Sequence, residues 1–344
     1  MASRAVIIGP ADYAENSGLD SHREIYESAH CYGEVLASDR RWGPGLVTVL
    51  PEDELGSIND VMGEVQAAAD ATTGEDDTLL VIYVGHGAYW DDVPGAQVHF
   101  AVNSSRAQAP FSWLSSWYVY RAIRKAKASL KVLIADCCNS NFLPQLSGGQ
   151  DAALPGVLGE QSSGTCVLAA VKDVRRASPV PCDSPQLEKR FRRCTPFSGH
   201  LLNVLSRGTE DNGEDDLTLG MIHDALLTDI SQCVTHHDLP RMILNDARER
   251  MPLFSNRMDA SRRTRPTKVP GSADDWAKIL LKESNYSLDH LFNDPETTGE
   301  VVARLSRSPN EAGRRIALRV NERADKVFRT PDLFARYWEK AAQA

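Results

Sequence analysis

Short apolar runs recur through the first half of the chain, each bounded by polar or glycine-rich turns. Three stand out, at residues 4–9, 77–87 and 130–138, and two further runs cover 46–51 and 165–171. They are continuous rather than alternating and rich in β-branched residues, a pattern typical of strands covered on both faces of a sheet. We therefore expect several buried strands.

Segments with helical periodicity lie between these runs, at residues 21–38, 57–71 and 117–128. The first begins with Ser21, followed three positions later by Glu24, which is a capping-box pattern. Alternation of strands and helices predicts an α/β sandwich with a mainly parallel central sheet. In such sheets, functional sites are expected at the carboxyl ends of the strands.

The last part of the chain has a different pattern. Residues 261–275 have the composition of a linker, and amphipathic helices are predicted beyond them. We expect one domain over residues 1–260 and a small helical extension over 261–344. The apolar faces of these helices must pack on the core or on another protein, so they predict a docking site for an activator or partner.

Charge and cysteine content exclude several classes of function. The 344 residues include 38 basic and 47 acidic side chains, a net charge of −9, which disfavours binding to nucleic acid or anionic lipid. No apolar run is long enough to span a membrane, and the start has no secretory signal, so a cytoplasmic protein is expected. The seven scattered cysteines fit a reducing compartment. Because no Cys-x-x-Cys pair occurs, we predict no metal and no cofactor.

Candidate chemistry lies at the ends of two predicted strands, where polar turns carry a histidine and a cysteine. His86 stands between two glycines, and Cys138 follows 52 residues later. A thiol and an imidazole can perform nucleophilic catalysis when backbone N–H groups stabilise the developing oxyanion. Gly87 has no Cβ, so a substrate backbone can approach it closely. Cys137 is the alternative nucleophile, but adjacent strand positions face opposite sides, so only one of the two thiols can meet His86.

These two turns resemble the motifs of a known family. The sequence YVGHG at residues 83–87 is similar to the Tyr-x-Gly-His-Gly motif of caspase-like and metacaspase-like cysteine peptidases, and DCCNS at 136–140 resembles their Asp-x-Cys-x-Ser motif, in its metacaspase form. The histidine also lies about 50 residues before the cysteine, as in caspases. The resemblance covers about residues 4–255 and implies a caspase-like α/β/α sandwich of bacterial type.

The resemblance assigns roles to individual residues. It makes Cys138 the nucleophile and His86 the general acid, and it places the N–H groups of Gly87 and Cys138 in the oxyanion hole. Two positions depart from the metacaspase pattern: Asn139 replaces a histidine and Asn141 replaces a glycine. These departures leave the dyad unchanged.

The resemblance also implies a specificity pocket. Asp136 would line the pocket for the residue before the scissile bond and select Arg or Lys, because a buried carboxylate requires a cationic partner. Alternatively, Asp136 has a structural role and caps the turn after the strand. Glu24 or Asp20, near the first helix, and Asp173, after a later strand, are further candidate pocket acids.

The segment 172–196 is basic in an acidic protein, with seven Lys or Arg against three acidic residues. It contains prolines and lies where caspase-like peptidases carry a processed linker, so exposed nicking sites are expected there. Alternatively, it is a solvated loop. The candidate self-cleavage residues are Arg175, Arg176, Lys189, Arg190, Arg192 and Arg193.

The sequence thus predicts a cysteine endopeptidase that acts on protein substrates after Arg or Lys, and the resemblance suggests a stress or antiviral response. Two alternatives stay open. The chain could be an interaction protein that uses the same fold as a scaffold, since fold alone does not determine function. It could also perform other Cys–His chemistry, such as amide transfer.

Overall fold

The computed structural model describes residues 3–74, 76–90, 97–147, 165–171, 180–209, 215–235, 237–244, 251–258, 272–282, 291–309 and 311–342. The chain divides into two compact units. One comprises Met1–Thr209 with Asp216–Arg257, and the other comprises Met258–Ala344 with Glu210–Asp215. The sequence analysis expected a boundary at residue 260.

The first unit contains strands and helices in alternation. Its strands are β1 (Arg4–Ile8), β2 (Val47–Val49), β3 (Thr78–Val84), β4 (Gly87–Trp90), β5 (Gln97–Phe100), β6 (Leu114–Ser115), β7 (Leu130–Asp136), β8 (Thr165–Ala169), β9 (Asp216–Thr218), β10 (Arg241–Leu244) and β11 (Pro252–Ser255). Its α-helices are α1 (Arg23–Ala37), α2 (Ile58–Ala71), α3 (Ser116–Lys125), α4 (Pro196–Arg207) and α5 (Leu219–Ser231).

A six-stranded sheet forms the centre of this unit, with the strand order β10-β8-β7-β3-β1-β2. All neighbouring pairs are parallel except the edge pair β10–β8. Every residue of β3 and β7 is buried, because both faces of the sheet are covered. The prediction of an α/β sandwich with a mainly parallel central sheet is confirmed.

Two layers of helices cover the sheet. Helices α1, α4 and α5 pack on one face against side chains such as Ile82 and Val84. Helices α2 and α3 pack on the other face against Val81 and Tyr83. Successive residues of β3 therefore enter different cores, as the alternation of side chains along a strand requires. This arrangement fixes the direction in which each residue at the strand end points.

Two local features differ from the sequence analysis. Helix α1 begins at Arg23, and Ser21 does not cap it; the Ser21 hydroxyl instead accepts a hydrogen bond from the Tyr13 N–H at 2.9 Å. The predicted capping box is therefore wrong, since a contact between distant residues takes the hydroxyl. A three-stranded antiparallel sheet of β4, β5 and β6 follows directly after β3, and no alternating pattern had indicated it.

The second unit contains helices α6 (Ala273–Lys282), α7 (Pro295–Ser306), α8 (Glu311–Val327) and α9 (Pro331–Ala341). They share a hydrophobic core of their own, centred on Trp276, Val301, Val320 and Tyr337. The amphipathic helices predicted for the C-terminal extension are present. Within the described residues, no helix is both long and apolar enough to cross a membrane.

Candidate active site

The two predicted motifs lie at adjacent strand ends. Strands β3 and β7 pair in parallel, and their last pair is Val84 opposite Asp136. The Gly85 N–H continues the ladder by donating to the Asp136 carbonyl oxygen at 3.0 Å. His86 and Cys138 each follow the last paired residue by two positions. The sheet therefore brings their two turns together at its carboxyl edge.

Each glycine beside His86 occupies a position where a Cβ would clash with a neighbouring residue. A Cβ at position 85 would lie 2.6 Å from the Tyr83 hydroxyl, and a Cβ at position 87 would lie 2.2 Å from the Cys138 carbonyl oxygen. Both distances are shorter than real Cβ contacts. The glycines let the histidine turn lie directly against the cysteine turn.

The backbone of Gly87 faces the cysteine turn. In the β4–β5 pair, Gly87 stands opposite Phe100, and the Ala101 N–H donates to the His86 carbonyl at 3.0 Å. This pattern makes Gly87 and Phe100 a non-hydrogen-bonded pair, so the Gly87 N–H and C=O point away from β5. The Gly87 carbonyl accepts a hydrogen bond from the Asn139 side-chain amide at 3.2 Å. Because the N–H and C=O of one residue in a strand lie on the same side, the Gly87 N–H also faces the cysteine turn.

Asn139 shapes the turn after β7. Its φ of 61° is in the left-handed region, the only such value for a non-glycine residue among those described. Asparagine tolerates this conformation better than most residues. The sequence analysis recorded Asn139 only as a departure from the metacaspase pattern. In the structure, its backbone reverses the chain and its amide ties that turn to Gly87.

The imidazole of His86 is half-buried, and backbone contacts orient it. Its Nε2 lies 2.8 Å from the Asp20 carbonyl oxygen, which can only accept a hydrogen bond. Nε2 therefore carries a proton, and in the neutral ring Nδ1 carries the lone pair. Burial lowers the pKa of His86, and the hydrogen bond to Asp20 opposes this only in part. The neutral form is thus favoured near pH 7.

The two adjacent thiols have different environments. Cys137 is 1% exposed and belongs to the core beneath α2 and α3, where burial raises the pKa of its thiol well above the ordinary value. Cys138 is only partly buried. A buried thiol in apolar surroundings is unreactive, since the thiolate is the nucleophile. Of the two, Cys138 has the environment that a nucleophile requires.

The carboxylate of Asp136 points into the protein, where it is 4% exposed. Its Oδ2 accepts hydrogen bonds from the hydroxyls of Thr195 and Ser198, each at 2.5 Å. Both donors belong to the start of α4, and the positive end of a helix dipole favours a carboxylate there. Burial nevertheless raises the pKa of Asp136, and the two hydroxyls offset this only in part. Among the described residues, no Lys or Arg forms an ion pair with this carboxylate.

The other predicted pocket acids have separate positions. Glu24 is in the first turn of α1, and its carbonyl accepts a hydrogen bond from Ser28 at 2.7 Å. Ser28 in turn accepts one from the Thr195 N–H at 3.0 Å, so the backbone of Glu24 belongs to the network around Asp136. Asp20 contributes its carbonyl oxygen to His86. Asp173 lies outside the described residues.

The predicted cleavage segment is described only from residue 180 onward, so Arg175 and Arg176 lie outside the described residues. The remaining basic residues belong to a folded turn around Phe191, which is fully buried. Arg190 donates to Glu188 and Ser206, and Arg192 donates to the carbonyls of Leu187 and Pro185. Lys189 and Arg193 are exposed, and Arg193 forms an ion pair with Glu27 at 3.5 Å.

Several residues around the site had no motif to mark them. The Tyr13 and His22 rings lie 5.2 and 5.4 Å from the His86 ring, whereas Tyr83, whose hydroxyl donates to the His86 carbonyl at 2.7 Å, is part of the YVGHG motif. Thr195 and Ser198 are equally unmarked in the sequence. Each of these unmarked residues comes from a segment distant from His86 or Asp136 along the chain. Only the packing of the sheet and helices brings them to the site.

The fold and these contacts define an α/β sandwich protein with a histidine turn and a cysteine turn at the carboxyl edge of its sheet. No protein-family profile matches the chain, and no curated protein matches it. Among solved structures, the chain is similar to Caspase-1 from Spodoptera frugiperda, with a TM-score of 0.44 and 12% sequence identity. The likeness covers 72% of this chain and 88% of that one.

The contrast between the two thiols predicts selective alkylation. Iodoacetamide at neutral pH should modify Cys138 at least about tenfold faster than Cys137, because burial withholds the thiolate of Cys137. Peptide mass spectrometry of brief labelling time points measures this. Cys137→Ser should keep the labelling and Cys138→Ala should lose it. Faster modification of Cys137 in the folded protein would contradict the assignment.

Proposed function

We propose that the chain is a cysteine endopeptidase in which Cys138 is the nucleophile and His86 transfers the proton. The observation that carries the proposal is the pairing of Val84 with Asp136, which sets the two turns side by side. The hydrogen bond from Asn139 to the Gly87 carbonyl supports it, as does the partial exposure of the Cys138 thiol. The sequence resemblance to caspase-like peptidases points to the same chemistry.

The proposed reaction uses these groups in a defined order. His86 Nδ1 takes the thiol proton, and the Cys138 sulfur attacks the scissile carbonyl carbon. The N–H groups of Gly87 and Cys138 stabilise the oxyanion. The imidazolium then gives its proton to the leaving amine as the C–N bond breaks, leaving a thioester. Water hydrolyses the thioester and restores the thiol. The Asp20 carbonyl keeps Nε2 protonated throughout and holds the ring in position.

The proposed dyad predicts a specific pattern of activity in four proteins. Cys138→Ala should abolish cleavage of a fluorogenic peptide panel varied at the residue before the cut. His86→Ala should lower kcat/KM by at least about a thousandfold, since members of such a unit act together. Cys137→Ser should retain most activity, because its thiol lies in the core. An active Cys138→Ser beside an inactive Cys137→Ser would overturn the assignment.

The same panel separates the two classes of function. A folded wild type that cuts no peptide would favour an interaction protein. One observation supports that alternative: Leu318 and Trp338 of the second unit are more than half exposed and line a groove of about 370 Å³. Such a surface suits an apolar segment of a partner or activator protein. The two roles can also coexist, with the second unit as the docking part.

We further propose that the substrate residue before the cut is Arg or Lys and that Asp136 selects it. Asp136 lies two positions before Cys138, and its buried carboxylate has hydroxyl partners but no cationic one among the described residues. A guanidinium beside this carboxylate would supply the opposite charge and lower the pKa of Asp136. The low solvent exposure around Asp136 would strengthen this ion pair.

This role can be separated from a structural one with two variants. Asp136→Asn removes the charge but keeps an oxygen for the Thr195 and Ser198 hydroxyls, whereas Asp136→Ala removes both. The two variants should each have a lower kcat/KM for Arg and Lys substrates relative to uncharged ones. For a buried ion pair, the loss corresponds to about 2–5 kcal/mol of binding free energy. Asp136→Ala should also unfold at lower temperature, because it leaves buried hydroxyls unpaired. If Asp136→Asn keeps the Arg and Lys preference, the carboxylate is structural.

Self-cleavage is proposed in the basic segment, after Arg175 or Arg176. Peptidases bind an extended stretch of substrate, and the packing of Phe191 with Arg190 and Arg192 holds the later candidates in a turn. Cleavage after the earlier pair would leave the folded turn intact.

Intact-mass spectrometry of wild type and Cys138→Ala checks this proposal. Wild type should give fragments of roughly 20 and 18 kDa at ~110 Da per residue, and Cys138→Ala should stay whole. A double change of Arg175 and Arg176 to alanine should prevent the cut, while alanines at the exposed Lys189 and Arg193 serve as the matched control. Cleavage of Cys138→Ala would indicate a foreign protease, and an intact, active wild type would exclude processing.

A further inference from the structure

A second group of cysteine and histidine side chains lies away from the proposed dyad. It consists of Cys182, His200, Cys233 and His237, whose ligand atoms all lie within 4.8 Å of one another. His200 belongs to α4, Cys233 follows the end of α5, and His237 precedes β10. Cys182 lies in the segment before the Phe191 turn. Three stretches of chain therefore converge on one point, since Cys233 and His237 belong to the same connection between α5 and β10.

The spacing of these atoms suits tetrahedral coordination. The Cys182 and Cys233 sulfurs are 3.4 Å apart, and His237 Nε2 is 3.1 Å from the Cys182 sulfur. In a tetrahedral zinc site with Zn–S near 2.3 Å and Zn–N near 2.05 Å, neighbouring ligand atoms are roughly 3.3–3.8 Å apart. The four side chains are thus already gathered to nearly the size of such a shell. Two sulfurs and two nitrogens are also a donor set that selects zinc.

The orientation of His200 is a separate indication of a ligand. The side chain is fully buried, and its Nδ1 lies 2.5 Å from the Asp229 carboxylate, which also accepts a hydrogen bond from Asn203. Its Nε2 is buried and has no hydrogen-bond partner at normal geometry among the described residues, and the Cys233 thiol of the same cluster interacts with this imidazole. A carboxylate that holds one imidazole nitrogen and leaves the other for a metal is the usual outer shell of a zinc histidine. A buried nitrogen without a partner is otherwise costly.

The charge of the donor set fits a buried site. Binding of zinc removes the protons of the two thiols. With two thiolates and two neutral imidazoles, the complex carries no net charge, which suits a buried site.

We propose that Cys182, His200, Cys233 and His237 bind one zinc ion. Binding replaces the proton of each thiol with a Zn–S bond, so two protons leave for each Zn²⁺ bound to neutral imidazoles. Four protein ligands complete the tetrahedron and leave no open position for water or substrate, so the ion is structural. The inference is independent of the proposed peptidase function.

The zinc ion would hold together elements of the first unit that lie beside Asp136. It would join residues 180–190 to three other parts of this unit, namely α4, the end of α5 and the loop before β10. The first turn of α4 also carries Thr195 and Ser198, the hydroxyl partners of Asp136. Metal binding therefore stabilises the helix that positions these donors.

Metal analysis of the purified full chain tests the proposal. Protein prepared under reducing conditions should contain about one zinc ion per chain by elemental mass spectrometry. Cys233→Ser and His237→Ala should each lose most of it. The matched controls, Cys138→Ala and the exposed His30→Ala, should keep it, and Cys138→Ala shows that the result does not depend on the dyad.

The outer shell gives a variant that preserves every ligand. Asp229→Asn should still bind zinc, with an affinity about 10–100-fold weaker in chelator competition. Cobalt added to metal-free wild type should produce the visible absorption of tetrahedral sulfur and nitrogen coordination. These measurements decide the matter even if a cysteine variant fails to fold.

Three results would overturn the proposal. The first is wild-type protein that contains only background zinc after incubation with zinc under reducing conditions. The second is a cobalt titration with no tetrahedral spectrum. The third is a Cys182–Cys233 disulfide in the protein purified without reductant together with no metal uptake after reduction. A disulfide whose reduction is followed by zinc uptake would instead support the proposal.

Discussion

Seven residue pairs join β3 to β7 in parallel, from Thr78 opposite Leu130 to Val84 opposite Asp136, and the whole candidate active site depends on this register. Both strands are buried along their full length, and alternate residues of β3 enter different cores. A shift of one residue would move Val81 and Tyr83 into the core of α1 and α4, which is a large change in packing. The register is therefore strongly determined. It places the histidine turn and the cysteine turn side by side at the carboxyl edge of the sheet.

Close approach of these turns requires small residues and defined backbone directions. Gly87 leaves room for the Cys138 carbonyl, and Asn139 adopts a left-handed conformation that sends its amide back to Gly87. The result is a pair of turns tied by backbone and side-chain hydrogen bonds, with little freedom to separate. Preorganised N–H groups stabilise an oxyanion effectively because they need no rearrangement during the reaction.

Helix α4 links the two chemical clusters of the first unit. All of its residues from Pro196 to Leu205 are buried, which is expected of a helix enclosed on every side. Ser198 donates to Asp136 near the sheet edge, and His200, two positions later, points to the opposite side of the helix and belongs to the Cys/His cluster. Burying the carboxylate of Asp136 costs free energy, and the hydroxyls at the start of α4 offset it. The position of this helix thus governs both clusters.

The sequence alone predicted five of the six strands of the central sheet, the sandwich class and the position of the two candidate motifs at strand ends. Continuous apolar runs report burial on both faces, and polar turns after two such runs mark the carboxyl edge of a parallel sheet. The separation of 52 residues between His86 and Cys138 equals the offset between Val84 and Asp136 in the ladder, so the motif spacing already contained the register.

Other features of the fold and of the two clusters depend on tertiary structure alone. Ser21 follows the local pattern of a helix cap, yet its hydroxyl binds the Tyr13 N–H, because a contact between distant segments won over the local one. Short β10, with an exposed Arg241, shows no strand pattern and forms only by pairing with β8. Cys233 and His237 are only four positions apart, but Cys182 and His200 come from two other segments, so the sequence does not show that the four residues of the Cys/His cluster meet. Local pattern reports which face of a segment is buried, but which segments meet depends on packing between parts of the chain that are far apart in sequence.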